Sequence, residues 1–246
     1  MDDNQLMRYK RHLMLPQLDI EGQLRLLDAS VLVVGTGGLG SPVLMYLAAA
    51  GVGKLHLYDD DKVEISNLQR QILFDSSVLG QSKAEIAAAR LRAVNPDCEV
   101  VAVASRLEGV LLTEAVAKVD LVIDCSDNFD TRFAVNRSCV EQHKTLVSGA
   151  VIRMEGQVSV FSGHHPDKPC YQCLYQPDAY NDETCTSSGV LGPAVGVIGS
   201  ILATEAVKLI AGIGDPLEGR LLLFDAMAMR FNELKLKKDP GCAVCG

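Results

Sequence analysis

Short apolar runs rich in β-branched residues alternate along the chain with longer stretches whose apolar positions recur at helical spacing. "SVLVVG" (Ser30 to Gly35), "KLHLYD" (Lys54 to Asp59), "EVVAVAS" (Glu99 to Ser105), "VDLVIDCSD" (Val119 to Asp127) and "TLVSGA" (Thr145 to Ala150) predict strands separated by apolar-rich helices. Such alternation implies βαβ units and a largely parallel sheet, and the unbroken apolar run Val31 to Val34 suits a strand covered on both faces. After about residue 150 the texture changes. "MEGQVSVFSG" (Met154 to Gly163) and "GRLLLFDA" (Gly219 to Ala226) predict further strands, and Val195 to Ala211 predicts a helix. No Ser/Gly/Pro-rich linker parts the two halves. The expected fold class is α/β: a Rossmann-like open sheet of mainly parallel strands flanked by helices, with additional C-terminal strands, in one domain over residues 1–246.

At 246 residues and 48% hydrophobic content the chain can fill a sizeable core. Lys+Arg 23 against Asp+Glu 31 leaves a formal charge of −8, which opposes attraction to nucleic acid or to an anionic membrane, so neither partner is expected. Any phosphate site must be locally basic. The opening "MDDNQLMRYKRHLML" lacks the basic-then-apolar order of an export signal, and a cytoplasmic address is expected. Cys185 to Thr204 carries no charge over 20 residues, the length of a membrane span. Its Thr/Ser cluster, Pro193 and glycines at 189, 192, 196 and 199 suit instead a loop running into a buried helix.

Gly35, Gly37 and Gly40 form G-x-G-x-x-G directly after the first strand, with Gly38 as a fourth glycine. A turn of this kind lets backbone approach a phosphate and aims the N–H groups of the next helix at it. Asp59 closes the following strand, 19 residues beyond Gly40, where a carboxylate can accept hydrogen bonds from ribose hydroxyls. A glycine turn that only joins strand to helix is the bland alternative; strand, turn, helix and acid in this order favour a nucleotide. Arg70 and Lys83 come next, and a bare dinucleotide fold needs neither. Facing the turn, Arg70 can hold phosphate oxygens in two-point geometry and Lys83 can place a compact charge over the bridge to be broken, which fits phosphoryl or nucleotidyl transfer better than hydride transfer. Asp127 lies just past an apolar strand, where a carboxylate suits Mg²⁺; capping of the next helix by Asp127 or Asn128 is the competing role, and the pair can fill both.

Cys170-x-x-Cys173 and Cys242-x-x-Cys245 are two pairs separated by 68 residues; a redox C-x-x-C is the rival reading for either, but two pairs without an export signal favour metal, and four thiolates would complete the closed shell of one structural Zn²⁺ per chain. Such a zinc anchors the tail and leaves no position for substrate. Cys98, Cys125 and Cys139 sit among apolar neighbours and read as core. The five histidines, at 12, 56, 143, 164 and 165, show no metal spacing.

Gly-Thr-Gly-Gly-Leu-Gly, "SNLQRQ", "DCSDN", "GQVSVF", "CYQC" and "PGCAVCG" stand in the order found in the MoeB/ThiF/HesA family, bacterial relatives of ubiquitin-activating enzymes, and the chain resembles that family from about Arg8 to Gly246. The likeness leans to its molybdopterin branch, with the thiamin branch close behind. The resemblance implies an ATP-dependent adenylyltransferase acting on a small ubiquitin-fold sulfur-carrier protein that ends in Gly-Gly. It places Gly38 against the nucleotide, Asp59 on the ribose, and Ser66, Asn67, Arg70 and Lys83 around the phosphates, with Leu68, Gln69 and Asn128 in the same ATP-binding set and Asp127 organising Mg²⁺. It implies a homodimer in which Arg11 reaches the neighbour's phosphates, and in some members a reactive cysteine at the position of Cys185, where a spare thiol is equally in keeping. Residues 1–29 would then form a helical arm, 30–150 the nucleotide-binding part, and 151–246 the carrier-binding and zinc part. With no sulfurtransferase-like domain before Gly246, the sulfur donor is expected to be a separate protein.

Two other readings stand beside this one. An NAD(P)-dependent oxidoreductase would satisfy the glycine turn and Asp59 but leave Arg70, Lys83 and Asp127 idle. A catalytically silent, zinc-braced scaffold for a ubiquitin-like protein would be favoured by loss of those residues, and all are present.

Overall fold

A computed structural model describes residues 1–177 and 188–246. Eight strands form one sheet in the order β3-β2-β1-β4-β5-β6-β7-β8. Strands β1 (Ser30–Val34), β2 (Lys54–Tyr58), β3 (Glu99–Val103), β4 (Leu121–Asp124) and β5 (Thr145–Ile152) pair in parallel. From β5 the chain turns back through β6 (Glu155–Phe161), β7 (Arg220–Asp225) and β8 (Arg230–Lys235) as an antiparallel run. Parallel neighbours require crossovers, and the helices α4 (Gly40–Ala50), α5 (Lys83–Val94), α6 (Gly109–Ala117) and α7 (Phe129–Glu141) lie in those connections. Before the sheet come α1 (Asp3–Arg8), α2 (Lys10–Leu13) and α3 (Asp19–Asp28); α8 (Tyr171–Leu174) and α9 (Gly192–Ala211) follow β6.

The topology decides where a ligand can sit. β1 has β2 on one side and β4 on the other, so the strand order reverses there and a crevice opens beyond the carboxyl ends of β1 and β4. Register brings the chemistry to that edge, because Val34 lies between Tyr58 and Asp124. The glycine turn after β1, Asp59 after β2 and Cys125 to Asn128 after β4 therefore emerge side by side.

The two faces of the sheet explain the strand sequences. One core joins Val31 and Val33 of β1 to α4, α5 and α9, and a second joins Leu32 and Val34 to α6 and α7. Alternate side chains of one strand thus serve opposite cores, which is why β1 shows no polar face. The arm is tied down by Tyr9, whose hydroxyl oxygen accepts from Asn95 Nδ2 at 2.9 Å while the same amide donates to Ala48 O at 2.8 Å.

Helix α9 is long and apolar enough to cross a membrane, yet half of its most apolar window is buried within the fold. Ile198, Leu202, Ala203 and Ala206 enter the larger core, and Gly199 lies so close to Pro42 of α4 that a Cβ would stand 2.3 Å from Pro42 Cγ. It is the core helix that the glycines and Pro193 suggested, beginning at Gly192 rather than Val195. The antiparallel half is larger than the sequence pattern implied, because β8 was not foreseen. All six of its residues, Arg230 to Lys235, are exposed, so no alternation marks it; backbone pairing to β7 makes it a strand.

Gly40 opens α4 where a Cβ would lie 2.1 Å from Gly35 O, an approach no side chain permits. Gly40→Ala is expected to cost about 3 kcal/mol, seen by calorimetry as a melting temperature lower by roughly 6–12 °C.

Candidate active site

A cavity of about 300 Å³ occupies the crevice at the carboxyl edge of the parallel strands. Gly35, at φ +88°, turns the chain out of β1, and Gly37 and Gly38 present bare backbone to the cavity ahead of α4. Asp59 Oδ2 accepts from both the N–H and the hydroxyl of Thr36, each at 2.8 Å, and Oδ1 accepts from Asp61 N at 3.0 Å. This carboxylate lines the cavity and also ties the glycine turn to the end of β2.

Arg70 lies against the turn, and Lys83 lines the same cavity. The stem of Arg70 lies over Gly38, where a Cβ would sit 3.7 Å from Arg70 Cγ and Cδ, and its Nη1 donates to Ser66 O at 3.0 Å. Lys83 begins α5 behind the N-cap Ser82 and is nearly buried; its ammonium meets Asp61 Oδ2 at 2.7 Å. Asp61 is mostly exposed, so this pair holds Lys83 at the cavity wall with a counter-ion that is itself well solvated.

On the β4 side Cys125, Ser126, Asp127 and Asn128 line the cavity. Asn128 Oδ1 accepts from Thr131 N at 2.9 Å and caps α7. Asp127 is exposed, and its carboxylate has no hydrogen bond among the described residues. Of the two candidate caps, Asn128 does the capping and Asp127 remains available to a ligand.

Other predicted residues stand further back. Ser66, Asn67, Leu68 and Gln69 do not line the cavity. They build the turn that carries Arg70: Asn67 Oδ1 accepts from Glu64 N at 3.3 Å, Asn67 O accepts from Arg70 N, and Leu68 leans on the larger core. Gln69 O abuts the start of α9 at Gly192. Arg11 is exposed on α2 and is not part of this chain's cavity wall. Cys185 lies outside the described residues.

Sequence reasoning missed several lining groups. Ser105, Arg106 and Leu107 follow β3 onto the same edge, and Arg132 lies beneath it in α7. Gln71 is buried with Oε1 lacking a hydrogen-bond partner and its Nε2 beside Gly37, so its amide is aimed at the turn. Its place directly after Arg70 was the available signal.

The four cysteines converge on a second site. Sγ separations are 3.7 Å for Cys170–Cys242, 4.0 Å for Cys170–Cys173 and 3.4 Å for Cys173–Cys245, and all four sulfurs lie within 4.8 Å of one another. A tetrahedral shell with metal–sulfur bonds of about 2.3 Å has sulfur–sulfur edges of roughly 3.8 Å, so the donors fit a metal, whereas a disulfide needs about 2.05 Å. Backbone and amide N–H groups point at the sulfurs, from Asp239 N to Cys173 at 3.4 Å and from Asn136 Nδ2 to Cys170 at 3.6 Å. Cys98, Cys125 and Cys139 are buried as expected; burial pushes the Cys98 thiol up to about 12 and raises the other two as well. His143, His164 and His165 stack edge and face, and no histidine joins a metal cluster among the described residues.

Comparison with known proteins agrees with this geometry. The chain is 46% identical to the molybdopterin-synthase adenylyltransferase of Salmonella typhimurium over 246 residues, covering 100% of this chain and 98% of that protein. It is 42% identical to the sulfur carrier protein ThiS adenylyltransferase of Escherichia coli, covering 100% and 97%. The crystal structure of E. coli MccB with ATP superposes with a TM-score of 0.84 at 21% identity, over 100% of this chain and 75% of that one, a likeness of fold. The ThiF family pattern matches residues 9–244, which include the glycine turn, both cations, Asp127 and three of the four clustered cysteines; the chain belongs to the ThiF family.

Proposed function

We propose that the chain activates the C-terminal Gly-Gly carboxylate of a small ubiquitin-fold sulfur-carrier protein by adenylation with ATP, for sulfur incorporation into molybdopterin. Full-length identity of 42% to the ThiS adenylyltransferase supports the thiamin carrier as the alternative partner. The observation that carries the reading is one cavity whose wall gathers bare glycine backbone, Asp59, Arg70 and Lys83 on one side and Asp127 on the other.

The carrier carboxylate attacks the α-phosphorus, a new O–P bond forms, the α–β bridging P–O bond breaks, and pyrophosphate leaves. Two anions must meet, so fixed cations dominate the barrier. Arg70, its stem braced on Gly38, suits two-point contact with phosphate oxygens, and Lys83 supplies a compact charge that needs no rearrangement beyond exchanging Asp61 for phosphate. Asp127 is the oxygen ligand that would hold Mg²⁺, which neutralises polyphosphate charge when bound. Hydride transfer would leave Arg70 and Lys83 without a role.

The cysteine knot suits one structural zinc, and a cytoplasmic setting belongs to the same reading because the thiols must stay reduced. Exposed Met7, Met14, Ile20 and Leu24 on the arm and Tyr46 on α4 support a homodimer in which Arg11 serves the neighbouring cavity. The sulfur donor is a separate protein, and residues 151–246 supply the carrier-binding and zinc part.

Carrier-dependent exchange of labelled pyrophosphate into ATP tests the assignment. Arg70→Ala and Lys83→Ala should each lower exchange by roughly 10²–10³-fold, the usual cost of one preorganised transition-state contact. Exchange that survives both at full rate would refute it.

Metal analysis should find one zinc per chain. Asp127→Ala should abolish exchange and keep that zinc, whereas Cys245→Ser should lose zinc and lower the melting temperature.

A further inference from the structure

Two charged groups beneath the cavity take no part in the scheme above. Asp124 ends β4 fully buried, and Arg132, in the second turn of α7, is almost as well covered. Both grip Ser126. Asp124 Oδ1 accepts from Ser126 N at 3.0 Å and from Ser126 Oγ at 2.6 Å, and its Oδ2 accepts from Ser148 Oγ, 3.3 Å away on β5. From the other side Arg132 Nη2 donates to Ser126 O at 2.7 Å, with its guanidinium carbon 5.8 Å from the centre of the Phe129 ring.

We propose that Asp124 and Arg132 form a buried clamp on Ser126 that positions Asp127 for the metal-bound polyphosphate, making both residues positioning residues for adenylation. This rests on the reading of Asp127 given above. Asp127 makes no hydrogen bond of its own among the described residues, so its direction is inherited from its neighbours. Asn128 is fixed by its cap on α7, and Ser126 is fixed by the clamp. With both flanking residues held, the backbone of Asp127 is fixed at the cavity wall, so only its own side-chain rotamers remain to be ordered when the ligand arrives.

The clamp is also costly to the fold, which argues for a purpose. Burial pushes the Asp124 carboxyl up, and the charge of Arg132 and the hydrogen bonds from Ser126 and Ser148 oppose that rise. An apolar pair would fill the same space without desolvating two charges. An apolar pair would not, however, hold one residue by its backbone N–H and its C=O at once, fixing the peptide units on either side of it.

Mn²⁺ is the probe for the test, bound in the presence of a non-hydrolysable ATP analogue and followed by electron paramagnetic resonance in full-length protein. Asp127→Asn, Ser126→Ala, Arg132→Lys and Arg132→Met are compared, with melting temperature as the check on folding. Ser126→Ala, which keeps the backbone contacts, and Arg132→Lys, which keeps the charge but loses the fork, should remain folded. Each should weaken Mn²⁺ binding by roughly 10-fold, the low end of what groups behind a metal ligand contribute, and Arg132→Met should weaken it further. Nucleotide binding without metal should stay within about 2-fold of the parent. Unchanged Mn²⁺ affinity in both Ser126→Ala and Arg132→Lys, beside a loss in Asp127→Asn, would overturn the clamp and leave the adenylation reading standing. Unchanged affinity in Asp127→Asn would overturn both.

Discussion

The backbone contact between Gly35 and Gly40 governs the rest of the molecule. It lets α4 start directly against the end of β1, with no side chain in between, and so fixes the height at which the helix crosses the sheet. From there the consequences spread by contact. Pro42 in the first turn of α4 accepts Gly199 of α9, and α9 in turn covers β5 and β6. A helix seated even slightly higher would lose that approach, and the cavity roof formed by Val195 at the start of α9 would move with it.

The same contact organises the electrostatics. Helix α4 carries no acidic residue in its first turn, so its N-terminal N–H groups keep their full attraction for an anion. Asp59 answers the turn from β2 through Thr36, while the compensating positive charge comes from Arg70 and Lys83 on the next connection. In a chain of formal charge −8 the cavity gathers four cations, Arg70, Lys83, Arg106 and Arg132, against four acids, Asp59, Asp60, Asp61 and Asp127, of which Asp59 tethers the turn and Asp61 is the counter-ion of Lys83.

Much of this was legible in the chain, for identifiable reasons. The glycine turn and Asp59 follow from local constraints on backbone and strand ends, and the two cysteine pairs announce themselves because metal chemistry dictates their spacing. Strand β8 was hidden because pairing with β7, not burial, defines it. Asp124 and Arg132 were hidden for a different reason. Asp124 sits inside an apolar strand and Arg132 inside an ordinary helix; only the turn from β4 into α7 brings both onto Ser126, and only the register of β4 with β5 sets Ser148 beside Asp124. Ser66 to Gln69 illustrate the reverse case, a recognisable run whose visible work is to build the turn that presents Arg70.

The cysteine knot joins residues 72 positions apart along the chain. A cross-link over such a span removes many conformations from the unfolded ensemble, roughly 4 kcal/mol at room temperature on the chain-entropy estimate used for disulfides. Inside that loop lie all of α9, β7 and β8, of which α9 packs on α4 and β5 of the parallel half while β7 and β8 extend the antiparallel edge. Thiol coordination would therefore act as a staple on topology: it ties the tail after β8 back to the segment after β6, although the sheet hydrogen bonds there are the ordinary ones of an open edge.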